Sequence, residues 1–363
     1  MTPYGRLDRL VHRIAFASPR VQLAAAEMEE TLFGGDIAEV RPGPPVFVTS
    51  LPRAGTTVLL TALAEAEGLA AHTYRDMPFV MAPLLWSRLS GRFRATAEKT
   101  ERAHGDGVAV GFDSPEAFEE VIWRTFWPGK VGKDGIHPSG PDDADREAAR
   151  FLERHMAKIV ALRADGRGRY LSKNNANIAR LDLLRAMFPE AEILVPMRAP
   201  MAQAWSLRTQ HLRFLDRHRA DPFARRYMAD IAHDEFGALH RPVLFEGFRE
   251  LADGLGPEDA EYWLALWIAA FEHVGRRLDG VRLLDHDAMC ADPAGTGEAL
   301  ARLLGLGAGE GARIARHFRP ARTLAAEAAA HRGPLRDRAE ALHQRLAARA
   351  GPPGLRDSAS SRP

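Results

Sequence analysis

One stretch of this chain restricts its fold more than any other: an apolar run that ends in a glycine-bearing loop and restarts as a helix. Val46-Phe47-Val48-Thr49 reads as a short buried strand, led by the stiff segment Pro42-Gly43-Pro44-Pro45. Ser50-Leu51-Pro52-Arg53-Ala54-Gly55-Thr56-Thr57 follows, and then a helical run to Glu67. A strand, a tight loop and a helix N-terminus in that order form an anion cradle. The first backbone N–H groups of the helix have no helical partner, and the helix dipole favours negative charge there. Pro52 presets a turn, Gly55 lets the backbone approach a ligand, and Thr56 and Thr57 add hydroxyl donors.

The same alternation recurs downstream. Tyr170-Leu171-Ser172, Ile193-Leu194-Val195-Pro196 and Val281-Arg282-Leu283-Leu284 read as further strands. Helices are predicted over 5–33, where Gly34-Gly35 closes the segment, and over 115–127, 144–164, 178–188, 200–219, 258–279 and 296–304. The pattern gives an α/β protein with a parallel sheet covered on both faces. Ligands of such sheets bind at the carboxyl ends of the strands. The Gly-, Pro- and Asp-rich stretch 128–143 is a long loop placed to act as a lid. Trp263, Trp267 and Phe271, spaced four apart, read as a core stripe, as do Trp123 and Trp127. The helix over 201–219 carries Arg208, His211, Arg213, Arg217 and His218, read as a solvated basic face that an acidic acceptor could also use.

Charge and cysteine content remove several classes. A net charge of +1 gives no global pull toward nucleic acid or a membrane surface, so any anion site must be local. A single cysteine, Cys290, excludes disulfides within the chain and clustered thiolate metal sites. No apolar run approaches the roughly 18 residues of a membrane span. Arg6, Asp8, Arg9, His12 and Arg13 interrupt the N-terminal region, so no signal-peptide core is read there, and the chain is expected in the cytoplasm.

The loop is not the kinase P-loop, which needs Gly-x-x-x-x-Gly-Lys-Ser/Thr. No Lys follows Gly55, and Ser50 stands where the first Gly would be. Pro52-Arg53-Ala54-Gly55-Thr56-Thr57 instead resembles the 5′-phosphosulfate loop of sulfotransferases that use 3′-phosphoadenosine-5′-phosphosulfate (PAPS), written P-[KR]-[SA]-G-[TS]-[TS]. A second motif of that family follows in order. A strand ends in Arg198, and Ser206 lies eight residues on along the next helix, so both can reach one phosphate. The family usually reads Arg-Asp-Pro at this point; here it is Arg198-Ala199-Pro200. Phe188-Pro189, Val281–Asp287, Asp292-Pro293 and Leu304-Gly305-Leu306 extend the resemblance over about 46–306.

The resemblance implies a P-loop-NTPase-like parallel β-sheet flanked by helices on both faces, and PAPS as cosubstrate with no metal. It implies cofactor binding by Pro52, Arg53, Ala54, Gly55, Thr56, Thr57, Arg198 and Ser206. Arg53 takes the position of the family's catalytic Lys, at the oxygen bridging phosphate and sulfate. Lys173, in Ser172-Lys173-Asn174-Asn175, is expected at the transferring sulfuryl group. Cytosolic members have a basic His two positions after that Lys, but Asn175 stands there, so the base must come from elsewhere. Asp76 is the expected base and His72 its rival. The acceptor, a small molecule or carbohydrate, is left open among sugar, lipid, phenol, peptide tyrosine and polyketide hydroxyls. A kinase of similar fold and a catalytically inactive nucleotide-binding relative are the alternatives. One domain is expected over 1–350, with helical segments 1–40 and 307–350 around a core 46–306, and a disordered tail over 351–363.

Overall fold

The computed structural model describes residues 6–90, 100–101, 109–110, 114–320 and 326–350, so the expected tail lies outside the described residues. Arg41–Val48 (β1), Leu69–Ala71 (β2), Arg167–Lys173 (β3), Glu192–Met197 (β4) and Arg282–Asp285 (β5) build one sheet. Its order is β2-β3-β1-β4-β5, and every pairing is parallel. Thr100–Glu101 and Ala109–Val110 form a separate antiparallel pair.

Alternation along each strand gives the sheet two apolar faces. Phe47, Tyr170, Ile193 and Val195 point into one core, which is closed by the helices Arg146–Arg163, Pro200–Ala220, Ala260–Gly275 and Pro334–Ala350. Val46, Val48, Leu171, Leu194 and Leu284 point into the other, closed by Thr56–Ala64 and Pro293–Leu304. This is the expected P-loop-NTPase-like α/β architecture, with helices on both faces. Trp263, Trp267 and Phe271 are 1%, 0% and 0% exposed, the core stripe that their spacing predicts.

Four boundaries differ from expectation for local reasons. Pro42–Pro45 belongs to β1, since extended prolines fit a strand, and the register with β3 slips between Gly43 and Val46 to admit them. The helix expected over 5–33 is two, Arg6–Ala15 and Pro19–Glu39. Pro19 starts the second, which runs through Gly34-Gly35 because Ile37 beyond them is buried. The helix expected from 115 begins at Glu120, because Pro115 bridges Thr73 and the Glu116 N–H donates to the His72 carbonyl. The segment 128–143 contains single 3₁₀ turns at Pro128–Lys130 and Pro141–Asp143.

A buried polar network fixes the carboxyl end of β3. The Glu119 carboxylate accepts from Trp123 Nε1 at 2.7 Å, Asn177 Nδ2 at 3.0 Å and the Tyr170 hydroxyl at 3.1 Å. Glu120 accepts from both Arg180 Nη atoms, at 2.7 and 3.0 Å, and from Asn174 Nδ2 at 2.8 Å. Burial opposes the Glu120 charge, but Arg180 and its neighbours outweigh burial and hold the carboxyl below its ordinary pKa. Removing one member of a buried pair leaves an uncompensated charge. Arg180→Met should therefore lose about 3–5 kcal/mol in denaturant unfolding. Adding Glu120→Leu to the same chain should recover most of that loss; a double variant as unstable as the single one would contradict the account.

Candidate active site

The loop after β1 is held from several directions. Arg53 and Gly55 both have left-handed backbone, with φ of 69° and 89°. For Arg53 that conformation costs about 1–2 kcal/mol, so the surroundings must enforce it. Gln203 Nε2 donates to the Leu51 and Pro52 carbonyls at 3.2 and 2.9 Å, and its Oε1 accepts from Trp267 Nε1 at 3.0 Å. Arg198 Nη1 donates to the Arg53 carbonyl at 3.2 Å, and Arg53 Nε donates to Ser206 Oγ at 3.0 Å. The helix Thr56–Ala64 starts at Gly55 without a side-chain cap, so its first-turn N–H groups open onto the loop.

Arg53, Arg198 and Ser206, separated in sequence, thus meet at this helix N-terminus, with Pro52, Ala54, Gly55 and Thr56 forming the turn between them. Thr57 lies in the first turn of the helix. A second constraint acts on Gly55: a Cβ there would run into the His286 ring, which would have to move. His286 opens the short helix after β5, and its position beside the loop shows nothing in the local sequence. Burial disfavours its charge, but Asp287 and Cys290 outweigh burial and push the imidazole up to about 9. Cys290 Sγ lies 3.8 Å from Nε2, and Asp287 Oδ1 lies 3.6 Å from Nδ1. An imidazolium therefore adds to the positive cradle. Asp285 caps that same helix, and Asp287 Oδ2 accepts from the Ala199 N–H at 3.0 Å. Among the described residues, ligand atoms of Asp285, Asp287 and His343 lie within 4.8 Å of one another; the bonds just named already give both carboxylates a structural task.

Lys173 ends β3 opposite Val48 and is 7% exposed. Beside it a partly open pocket lies against Leu51 and Pro52. Apolar walls come from Ile136, Ile178, Val243 and Trp263. Ile136 is the contribution of the 128–143 loop; its N–H donates to the Pro242 carbonyl at 2.8 Å and its carbonyl accepts from Leu244 N–H at 2.9 Å. The polar lining includes Asn175, His233, Asp234, Glu235, His240 and Arg241, of which only Asn175 entered the sequence argument. Thr56 Oγ1 donates to Asn175 Oδ1 at 3.3 Å, and Asn175 Nδ2 donates to Glu235 Oε1 at 3.1 Å. That chain of bonds joins the cradle to the pocket.

The expected base finds no support in this geometry. Asp76 is 2% exposed and lines no part of the pocket. Its Oδ2 takes His72 Nδ1 at 2.9 Å and the Thr73 N–H at 3.0 Å, while Arg163 Nη2 donates to Oδ1 at 2.5 Å. Burial would raise this carboxyl, but His72, Arg163 and the Thr73 N–H hold it below its ordinary value. His72 is equally committed, since its Nε2 lies 2.7 Å from His155 Nε2. The basic face expected on 201–219 is also smaller than read. His211 and His218 turn inward and accept from the Gly237 and Ala238 N–H groups at 3.2 Å, and burial lowers both pKa values. Trp123 and Trp127 pack against each other in a tilted pair, with ring centroids 4.7 Å apart, and do not line the pocket.

A sequence model described as the Sulfotransferase family matches residues 44–309. Among solved structures, sulfotransferase STF9 from Mycobacterium avium shares 16% identity, with 96% of this chain and 85% of that one covered and a TM-score of 0.49. Sulfotransferase STF1 from Mycobacterium tuberculosis H37Rv also shares 16% identity, with 94% and 86% covered and a TM-score of 0.47. A sulfotransferase from Alicyclobacillus acidocaldarius shares 15% identity, with 86% and 93% covered and a TM-score of 0.38. No curated protein sequence matches significantly.

The position of His286 has a pH signature. Its folded pKa of about 9 lies above the ordinary 6.5, so its charge stabilises the fold fully below 6.5, and that contribution is lost as pH rises through about 9. Unfolding midpoints of wild type and His286→Gln should therefore converge over that range. Parallel curves would contradict an imidazolium beside Gly55.

Proposed function

Because the chain belongs to the sulfotransferase family, we propose that it transfers a sulfuryl group from PAPS to a hydroxyl or amine of a small-molecule or carbohydrate acceptor, leaving adenosine 3′,5′-bisphosphate. The observation that carries the reading is the convergence of Arg53, Arg198 and Ser206 on an uncapped helix N-terminus. Such a donor set suits a ligand with two separated anionic groups.

In this reading the N–H groups of 53–57 and the Thr57 hydroxyl hold the 5′-phosphosulfate, while the Thr56 hydroxyl is engaged with Asn175. Arg198, with its forked donor, and Ser206 hold the 3′-phosphate. PAPS supplies an already activated sulfuryl group when bound. The chain's task is then positioning and electrostatics, as in phosphoryl transfer. Arg53 stabilises negative charge on the leaving phosphate oxygen. Its backbone, strained and clamped by Arg198 and Gln203, keeps the guanidinium aimed without reorganisation. Lys173 stabilises the transferring sulfuryl oxygens from the end of β3, and the pocket beside it takes the acceptor. No metal enters the scheme. A buried lone Cys290 suits a reducing cytoplasm, and among the described residues no helix is long and apolar enough to cross a membrane.

The 3′-phosphate assignment is tested by calorimetry with adenosine 3′,5′-bisphosphate and adenosine 5′-phosphate. Wild type should prefer the bisphosphate. Arg198→Ala should lose about 1.5–3 kcal/mol of that preference, roughly 10- to 150-fold, while binding of the monophosphate changes little. An unchanged preference in the variant would contradict the assignment.

A further inference from the structure

We propose that Glu235 is the general base that takes the proton from the acceptor hydroxyl, and that Asn175 and Thr56 position it. The proposal rests on the sulfuryl-transfer reading above and supplies the group that Asp76 does not.

Three carboxylates line the pocket, Glu120, Asp234 and Glu235. Both oxygens of Glu120 are taken by Arg180, one of them shared with Asn174. Asp234 is 3% exposed; its Oδ2 takes both Arg124 and Arg241, and its Oδ1 is sealed from solvent, out of reach of an acceptor. Glu235 alone of the three is half-buried, facing the pocket rather than sealed behind it. Its Oε1 is held by Asn175, and its Oε2 makes no hydrogen bond among the described residues. The two histidines of the lining do not compete. His240 Nδ1–H donates to the Glu235 carbonyl at 2.7 Å, its Nε2 accepts from the Tyr262 hydroxyl at 2.9 Å, and burial holds it down to about 4. His233 is 7% exposed, its Nε2–H donates to the Ala117 carbonyl at 3.0 Å, and its Nδ1 is buried away from the pocket opening.

The positioning is specific to this chain. Thr56, in the first turn of the cradle helix, donates to the Asn175 oxygen, and this leaves the Asn175 amide N–H to fix Glu235. The Glu235 backbone is clamped on both sides, by His240 on its carbonyl and by the Arg241 N–H on the Asp234 carbonyl at 2.8 Å. A residue that cannot itself accept a proton thus stands at the end of β3 and holds one that can. The free oxygen is two hydrogen bonds from the phosphosulfate cradle, on the side where the acceptor would lie.

The step balances without redox change. The acceptor O–H proton passes to Glu235, and the acceptor oxygen forms the new O–S bond. The bond from sulfur to the bridging oxygen breaks, and its electron pair leaves with the phosphate toward Arg53. Lys173, Arg241, Asp234, Glu120, His233 and His240 are the other charged or titratable groups that line the pocket with this carboxylate.

The test compares two probe acceptors, 2-naphthol, which stays protonated in mildly alkaline buffer, and 4-nitrophenol, which is already ionised there. A general base typically supplies 10²–10⁴-fold, so Glu235→Gln should lower kcat for 2-naphthol by at least about 100-fold. The ionised phenol needs no base, and its rate should fall far less. Asn175→Leu should show the same selectivity with a smaller loss, which keeps the test open if the first variant folds poorly. Equal losses on both phenols, or full activity on both, would overturn the assignment. Calorimetry with adenosine 3′,5′-bisphosphate on the same proteins separates the premises: unchanged affinity in the variants is expected, and a wild type that does not bind would overturn the donor reading and the base with it.

Discussion

The structure depends on the hold exerted on one backbone turn. Arg53 adopts a left-handed conformation that no β-carbon favours, and four side-chain contacts from the helix Pro200–Ala220 and its approach keep it there. Gln203 passes that restraint to the core through Trp267, a fully buried side chain. Rigid packing around Trp267 is thus converted into a fixed direction for the Arg53 guanidinium. In the proposed transfer, preorganisation of this kind would let Arg53 stabilise charge without rearrangement.

The sheet explains why distant residues share that turn. Parallel strands place all their carboxyl ends on one edge, and the central β1 has β3 and β4 as its neighbours. Lys173 and Arg198, at or just past the ends of those neighbours, flank the cradle loop, and β5 adds His286 from one strand farther out. Two apolar faces, each with its own helices, fix the strand order against slippage.

What could be read from the sequence was the part carried by local rules. The cradle loop follows an apolar strand at short range, so strand, turn and helix signals suffice to find it, while Arg198 and Ser206 stood out through their resemblance to the family's second motif. The misread boundaries have equally local causes, such as Pro19 restarting a helix. The polar lining of the pocket was not legible. Glu235, His240 and Arg241 lie in an irregular stretch with no periodicity, and they acquire a role only through contacts to Asn175, Tyr262 and Asp234. Asp76 misled for the converse reason. It sits just past a strand end, as a base would, but tertiary contacts with His72 and Arg163 saturate it. His211 and His218 show the same lesson, since helical spacing alone does not tell an inward histidine from a solvated one.

The account stands or falls on which nucleotide the cradle accepts. A ligand that binds only the folded state raises its stability by about 2.7 kcal/mol at a hundred times its Kd. In a thermal unfolding titration, adenosine 3′,5′-bisphosphate should raise the midpoint by several degrees, while ATP with magnesium should leave it in place. Stabilisation by ATP and magnesium with no response to the bisphosphate would contradict a PAPS site built from Arg53, Arg198 and Ser206.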